Sequence, residues 1–123
     1  MTDIIGVTTA AGRGDGSTIV VTWSPVTSVD TCHPVRLPEY ADRSIHVSGV
    51  FGGSTTKIAG SNNGGVSFAP LADTTDTTIA ISTETIKAVL ENTDFIKPVV
   101  SGGDATQSLT ISLLFHLTNP LRQ

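Results

Sequence analysis

Between Ser44 and Phe68 the chain reads SIHVSGVFGGSTTKIAGSNNGGVSF, and no other stretch restricts the possible folds as much. From Ser44 to Phe51 it alternates strictly, with Ile45, Val47, Gly49 and Phe51 on one side and Ser44, His46 and Ser48 on the other. Strand side chains point to opposite faces with a period of two, so one row can be buried while the other meets water. Gly52-Gly53 punctuates the run, and Thr55 to Ser61 reads as a second extended segment centred on Ile58. Asn62-Asn63-Gly64-Gly65 is a strong turn signal, because Asn and Gly accept positive φ at low cost. Val66 to Phe68 is expected to start a third strand, making the stretch an antiparallel meander.

The rest of the chain carries the same grammar. Ser108 to Thr118 is its cleanest strand, with Leu109, Ile111, Leu113, Phe115 and Leu117 on one face and Leu114 as the exception on the polar side. Thr18 to Trp23 places Ile19, Val21 and Trp23 on one side, and Pro25 is expected to close it because proline cannot donate to a ladder. Pro98 marks Phe95 to Val100 as an edge or bulged strand for the same reason. Arg36, Glu39, Tyr40, Asp42 and Arg43 read as a polar loop leading into Ser44. Glu84 to Glu91, capped by Ser82 or Thr83, has Ile86, Val89 and Leu90 at helical spacings and reads as one short helix held by packing. The expected fold is all-β: an antiparallel β-sandwich, jelly-roll-like, with that one short helix. Residues 1–17, glycine-rich after an apolar patch of Ile4, Ile5 and Val7, read as a flexible N-terminal arm, and 18–123 as a single sandwich domain.

At 123 residues the chain fits one domain. Only 15% of residues are charged, while Thr, Ser and Gly are abundant, which favours a sheet protein with many turns over a helical bundle. The net charge of −4 comes without a Lys/Arg cluster, so nucleic acid is not an expected partner. No apolar run approaches the roughly 20 residues of a membrane helix, and the N-terminus lacks a basic segment leading into an apolar one. A soluble product made inside the cell, with no membrane partner, is the expectation.

Little in the chain carries chemistry. Gly12, Gly14 and Gly16 are followed by β-rich sequence, whereas a nucleotide loop opens a helix. Cys32-His33 lacks the recurring ligand spacings of a zinc site, and adjacent side chains in a strand diverge, which counts against a catalytic pair. Asp73 and Asp76 do not match a calcium loop. The expectation is a protein with no cofactor, no metal and no enzymatic activity.

Four segments taken in order carry a family resemblance: SIHVSGVFGG, TKIAGSNNGG, TIKAVLEN and FIKPVVSGGDATQSLTISLL. The series resembles the small head decoration, or cement, proteins of tailed bacteriophages over roughly Ser44 to Leu114. The resemblance implies a β-sandwich that binds the outside of a capsid and stabilises the shell by bridging subunits of the major capsid protein. It also implies a virion location after synthesis in the host cytoplasm, and no catalytic residues. Exposed sheet edges add an expectation of a homodimer or homotrimer. Candidate capsid or oligomer contacts are Ile4, Ile5 and Val7 in the arm, Trp23, and Asn62 and Asn63 in the turn. The alternatives are a carbohydrate-binding β-sandwich, since Gly60 to Gly64 also looks like a discoidin-type loop, and a phage neck or tail component.

Overall fold

The structure, a computed structural model, describes the backbone of residues 2–4 and 7–10 and the whole of residues 18–117. It is built from strands β1 (Thr2–Ile4), β2 (Val7–Ala10), β3 (Thr18–Val26), β4 (Asp30–Cys32), β5 (Val35–Arg36), β6 (Asp42–Val50), β7 (Thr55–Ser61), β8 (Ala69–Pro70), β9 (Thr85–Val89), β10 (Phe95–Ser101) and β11 (Ser108–His116). One sheet runs β2-β3-β11-β6-β9, a second runs β5-β10-β7-β8, and β1 pairs with β4 in a separate parallel ribbon. The pairings of the two larger sheets are antiparallel. Consecutive strands alternate between the sheets from β5 to β7 and again from β9 to β11, the double Greek-key order of a jelly roll.

Burial follows the alternation read from the sequence. On β11, Leu109, Ile111, Leu113 and Phe115 are fully buried. They share one core with Val21 and Trp23 of β3, Ile45 and Val47 of β6, Ile58 of β7 and Ile96 of β10, so side chains from both sheets fill the space between them. The row frays at its end, where Leu117 is exposed.

The expected short helix does not exist: among the described residues there is no helix, and 85–89 form β9. The same residues fit two periods. A helix would have buried Ile86, Val89 and Leu90 together, but only Val89 is buried while Ile86 and Leu90 are exposed. A two-turn helix is marginal in water. The open side of β6 offers five cross-strand pairs, from Arg43↔Val89 to Val47↔Thr85, and the segment takes them.

The expected meander is also corrected. β6 and β7 are consecutive, yet they lie in different sheets, so Gly52-Gly53 is an inter-sheet corner rather than a hairpin. Gly52 has φ +59°, and a Cβ there would lie 2.5 Å from the Asp104 carboxylate. The second corner, between β10 and β11, packs against the first, with Asp104 N donating to Gly52 O at 3.0 Å. Gln107 backs this junction by donating to Val26 O at 3.1 Å. The third strand starts later than expected, as β8 at Ala69, and leaves Val66 out in solvent.

Prolines behave in two ways. Pro25 does not close β3, which continues to Val26 through a cis Ser24–Pro25 bond and a register shift opposite Leu109 to Ile111. Pro98 does sit on an open edge, because β5 covers only Phe95 and Ile96 of β10.

Arg43 is the largest departure from the expected polar loop. It is buried beneath the chain that connects β5 to β6. Its Nε donates to Tyr40 O at 2.8 Å, and Nη2 donates to Leu37 O at 2.9 Å and Thr93 O at 3.0 Å. The guanidinium also stands 5.3 Å from the centre of the Phe115 ring. Burial lowers its pKa to about 10, so it stays cationic at neutral pH.

Asp73 organises the loop before Ile79. Its Oδ1 accepts from Thr75 Oγ1 at 2.6 Å, Thr75 N at 2.9 Å and Thr77 N at 3.2 Å, and Lys87 Nζ lies 3.6 Å from Oδ2. These bonds, the Thr75 hydroxyl foremost, stabilise the anion and pull the pKa from 3.8 down to about 2. A carboxylate with a depressed folded-state pKa stabilises the fold above its unfolded value, and that stability drains away as pH falls through the folded value. Acid titration of the urea midpoint is therefore expected to show a loss between pH 3.8 and about 2. Asp73→Asn is expected to flatten that portion of the profile; an unchanged slope would show that the loop does not depend on the carboxylate. Asp104, whose pKa is lowered by Thr106, keeps its share of the acid dependence in the variant.

Candidate functional site

The outward face of the four-stranded sheet is built by alternation. In β7 the core-facing residues are Thr56 and Ile58, so Lys57 and Ala59 lie on the opposite face, Lys57 exposed and Ala59 covered. In β10 Ile96 and Pro98 are buried, which turns Lys97 and Val99 outward. Register sets Val99 beside Lys57 and Lys97 beside Ala59. The turn after β7 then lays Phe68 over this face, where Lys97 Nζ stands 4.4 Å from the ring centre. Lys57, Ala59, Phe68, Pro70, Lys97 and Val99 surround an open groove of about 310 Å³. Val99, 41% exposed, gives the groove apolar surface open to solvent.

Phe68 and Pro70 form a ridge with a second, larger groove of about 680 Å³ on its other side, reaching Asn62, Asn63 and Asn92. The turn there is held by its own amides. Asn63 Oδ1 accepts from Ser61 Oγ at 2.7 Å and Ser67 N at 3.1 Å, while its Nδ2 donates to Ser67 Oγ at 2.9 Å. Asn62 Oδ1 accepts from Asp94 N at 2.9 Å, tying the turn to the start of β10. Asn92 Nδ2 donates to Pro38 O at 3.1 Å. Gly60 passes so close to Thr93 that a side chain there would overlap the Thr93 hydroxyl. Much of the polar lining is thereby committed to shaping the groove.

The candidate contact residues from the sequence do not converge on one place. Asn62 and Asn63 are exposed at the turn beside the larger groove. Trp23 lies in the core, fully buried, its Nε1 donating to His33 O at 3.0 Å. Ile4 and Val7 fall in β1 and β2, of which only the backbone is described, and Ile5 lies outside the described residues. Lys57, Phe68, Lys97 and Val99 were not singled out, although the outward steps of β7 and β10 carry the signal for three of them.

Ionisable residues are dispersed. Cys32 is buried and His33 exposed, so the adjacent pair looks in different directions. His46 Nε2 lies 3.0 Å from Glu84 Oε2 on the outer side of the five-stranded sheet, far from the ridge in the fold. Among the described residues, no three His, Cys, Asp or Glu side chains cluster as a metal site. No helix of the described residues is long and apolar enough to cross a membrane.

No protein-family model and no curated protein sequence matches this chain. Among solved structures, the fold is similar to that of the SPBc2 prophage-derived protein YomS, with a TM-score of 0.56 and 11% sequence identity. The alignment covers 80% of this chain and 93% of YomS. At that identity the likeness is one of fold: an all-β architecture shared with a phage-derived protein.

Proposed function

We propose that this chain is a structural virion protein that binds the outer surface of a phage capsid and bridges neighbouring subunits of the major capsid protein. The observation that carries the reading is the apolar patch of Phe68, Pro70 and Val99, set around one groove with Lys57 and Lys97 on a fold that a prophage-derived protein shares. Contiguous apolar surface on a rigid scaffold is a feature of interaction sites. Two lysines with no acid among the groove's lining suit an acidic contact on the partner. Repetition over a shell multiplies a modest contact into firm attachment, and self-association as a dimer or trimer adds to it. The reading assigns the protein no catalysis, and a virion location after synthesis in the host cytoplasm.

A carbohydrate-binding module is the second reading, favoured by the larger groove with Phe68 on its wall. With Trp23 buried, Phe68 is the ring available to it there, and Lys97 already stacks on that ring.

Co-sedimentation with shells of the cognate major capsid protein tests the first reading. The wild-type chain is expected to bind saturably, and a Lys57→Glu/Val99→Glu double variant to bind about tenfold or more weakly with its thermal melt retained. Absence of wild-type binding, or equal occupancy by the double variant, would overturn it. Wild-type binding to tail or neck assemblies instead would move the protein to another part of the particle.

A further inference from the structure

The lysines and arginines among the described residues are Arg36, Arg43, Lys57, Lys87 and Lys97. Arg36 pairs with Asp94 at 2.8 Å, Lys87 lies 3.6 Å from Asp73, and Arg43 is buried on main-chain carbonyls. Lys57 and Lys97 form no ion pair with any described residue, and both line the groove beside Phe68. Asp30, which shares a small cavity with Lys97 at the edge of β10, accepts from Thr27 N at 2.9 Å and from Thr27 Oγ1 at 2.7 Å. On a chain of net charge −4, the cations left without a carboxylate are thus gathered in one groove.

We infer that this groove takes an extended acidic segment of its partner protein, one that carries carboxylates two residues apart in the pattern acid-x-acid. The inference rests on the reading above, in which the groove is the capsid contact, and names the chemistry of what the groove grips.

The spacing comes from the register. Val99 stands opposite Lys57 and Ala59 opposite Lys97, so the two lysines are diagonal neighbours across the β7–β10 pair. Diagonal positions in an antiparallel pair lie about 7–8 Å apart. Alternate residues of an extended chain share a face and repeat every ~6.6–6.8 Å, two rises of a strand. Carboxylates at i and i+2 therefore reach both ammonium groups from one side, whereas adjacent carboxylates point to opposite faces. A helix, about 10–12 Å across with its side chains, does not enter a groove of about 310 Å³.

The surroundings favour an acidic peptide chain over a bare anion. Val99 and Pro70 are exposed and Phe68 is half-buried beside the lysines, so an apolar side chain further along the segment has surface to cover. The Phe68 ring, 4.4 Å from Lys97 Nζ, fixes that ammonium at the groove wall. A nucleic-acid backbone is a poorer match, because two cations release few counterions and the chain as a whole is acidic. Exposed ion pairs are individually weak, so one segment binds loosely and firm attachment comes from copies repeated over a shell.

Amide NMR titration with terminally blocked peptides, which reads millimolar affinities, tests the inference. Glu-Thr-Glu-Thr-Val is expected to shift the amides of Lys57, Lys97 and Val99 saturably. The reordered Glu-Glu-Thr-Thr-Val is expected to bind about threefold or more weakly, since its carboxylates diverge. A Lys57→Glu/Lys97→Glu variant, its thermal melt retained, is expected to lose affinity for Glu-Thr-Glu-Thr-Val by about tenfold or more. The same variant is expected to gain binding of Lys-Thr-Lys-Thr-Val, which leaves the wild-type chain unmoved. No saturable shift with Glu-Thr-Glu-Thr-Val, equal affinity for the two acidic orders, no exchange of preference in the variant, or tighter binding of oligothymidylate than of the peptide would each overturn it. A wild-type chain that binds shells but not the peptide overturns this inference alone. A wild-type chain that binds the peptide but not shells overturns the capsid reading and leaves the groove its acidic ligand.

Discussion

Replacing Arg43 by methionine is expected to lower the unfolding free energy by about 3–5 kcal/mol, read as a shift of the urea midpoint. Methionine keeps most of the volume, so the cost is not mainly a cavity. Buried ion pairs can often be replaced by apolar groups without loss, because both charges leave together. Here the acceptors are the main-chain carbonyls of Tyr40, Leu37 and Thr93, which no side-chain substitution removes. They would stay under the chain without donors, and an unsatisfied buried polar group costs about 1–3 kcal/mol. Arg43→Lys is expected to fall in between, since one ammonium cannot reproduce the spread of a guanidinium fork. A loss under about 1 kcal/mol for Arg43→Met would mean that the carbonyls find water, and that the residue does not clamp the β5–β6 connection to Thr93.

The second large effect is a contrast between neighbours. Leu113→Ala is expected to cost about 3–5 kcal/mol, because its side chain is fully buried between the sheets and its removal leaves a cavity. Leu114→Ala is the same chemical change one residue on, at a position 40% exposed on the other face of β11. It is expected to cost less than about 1 kcal/mol. The strand's register makes the difference: Leu113 pairs with Val21 and Ile45, and Leu114 with Val20 and Ser44. Similar midpoints for the two variants would mean that the alternation of β11 does not set its burial.

Period-two patterns carried most of the core. Ile45 and Val47 in β6, and Leu109 to Phe115 in β11, are buried as their spacing requires. Where a pattern fits two periods, the local signal does not decide. Thr85 to Val89 satisfies helical and strand spacing alike, and the vacant side of β6 made it a strand. Arg43 escaped for a related reason. A cation among Glu39, Tyr40 and Asp42 reads as solvated, and the three carbonyls that bury it come from residues up to 50 positions away.

The proposed binding face was half legible. Asn62 and Asn63 announce their turn in the sequence. That the turn brings Phe68 over Lys97, and that Val99 lies beside Lys57, depends on the pairing of β7 with β10.

By itself, the sequence determined that the protein is built from strands, where most of its turns fall, and which side chains are apolar enough to share a core. These properties rest on alternation and on residues that accept particular backbone angles, and both are local. The tertiary structure decided which strands are neighbours. Ser44 to Ser61 looks like two legs of a hairpin, yet its Gly52-Gly53 corner sends β6 and β7 into different sheets. Each strand then bonds to partners distant in the chain, β6 to β11 and β9, β7 to β10. A backbone edge is satisfied equally well by any strand of compatible pattern, so the choice among partners belongs to the packing of the whole core.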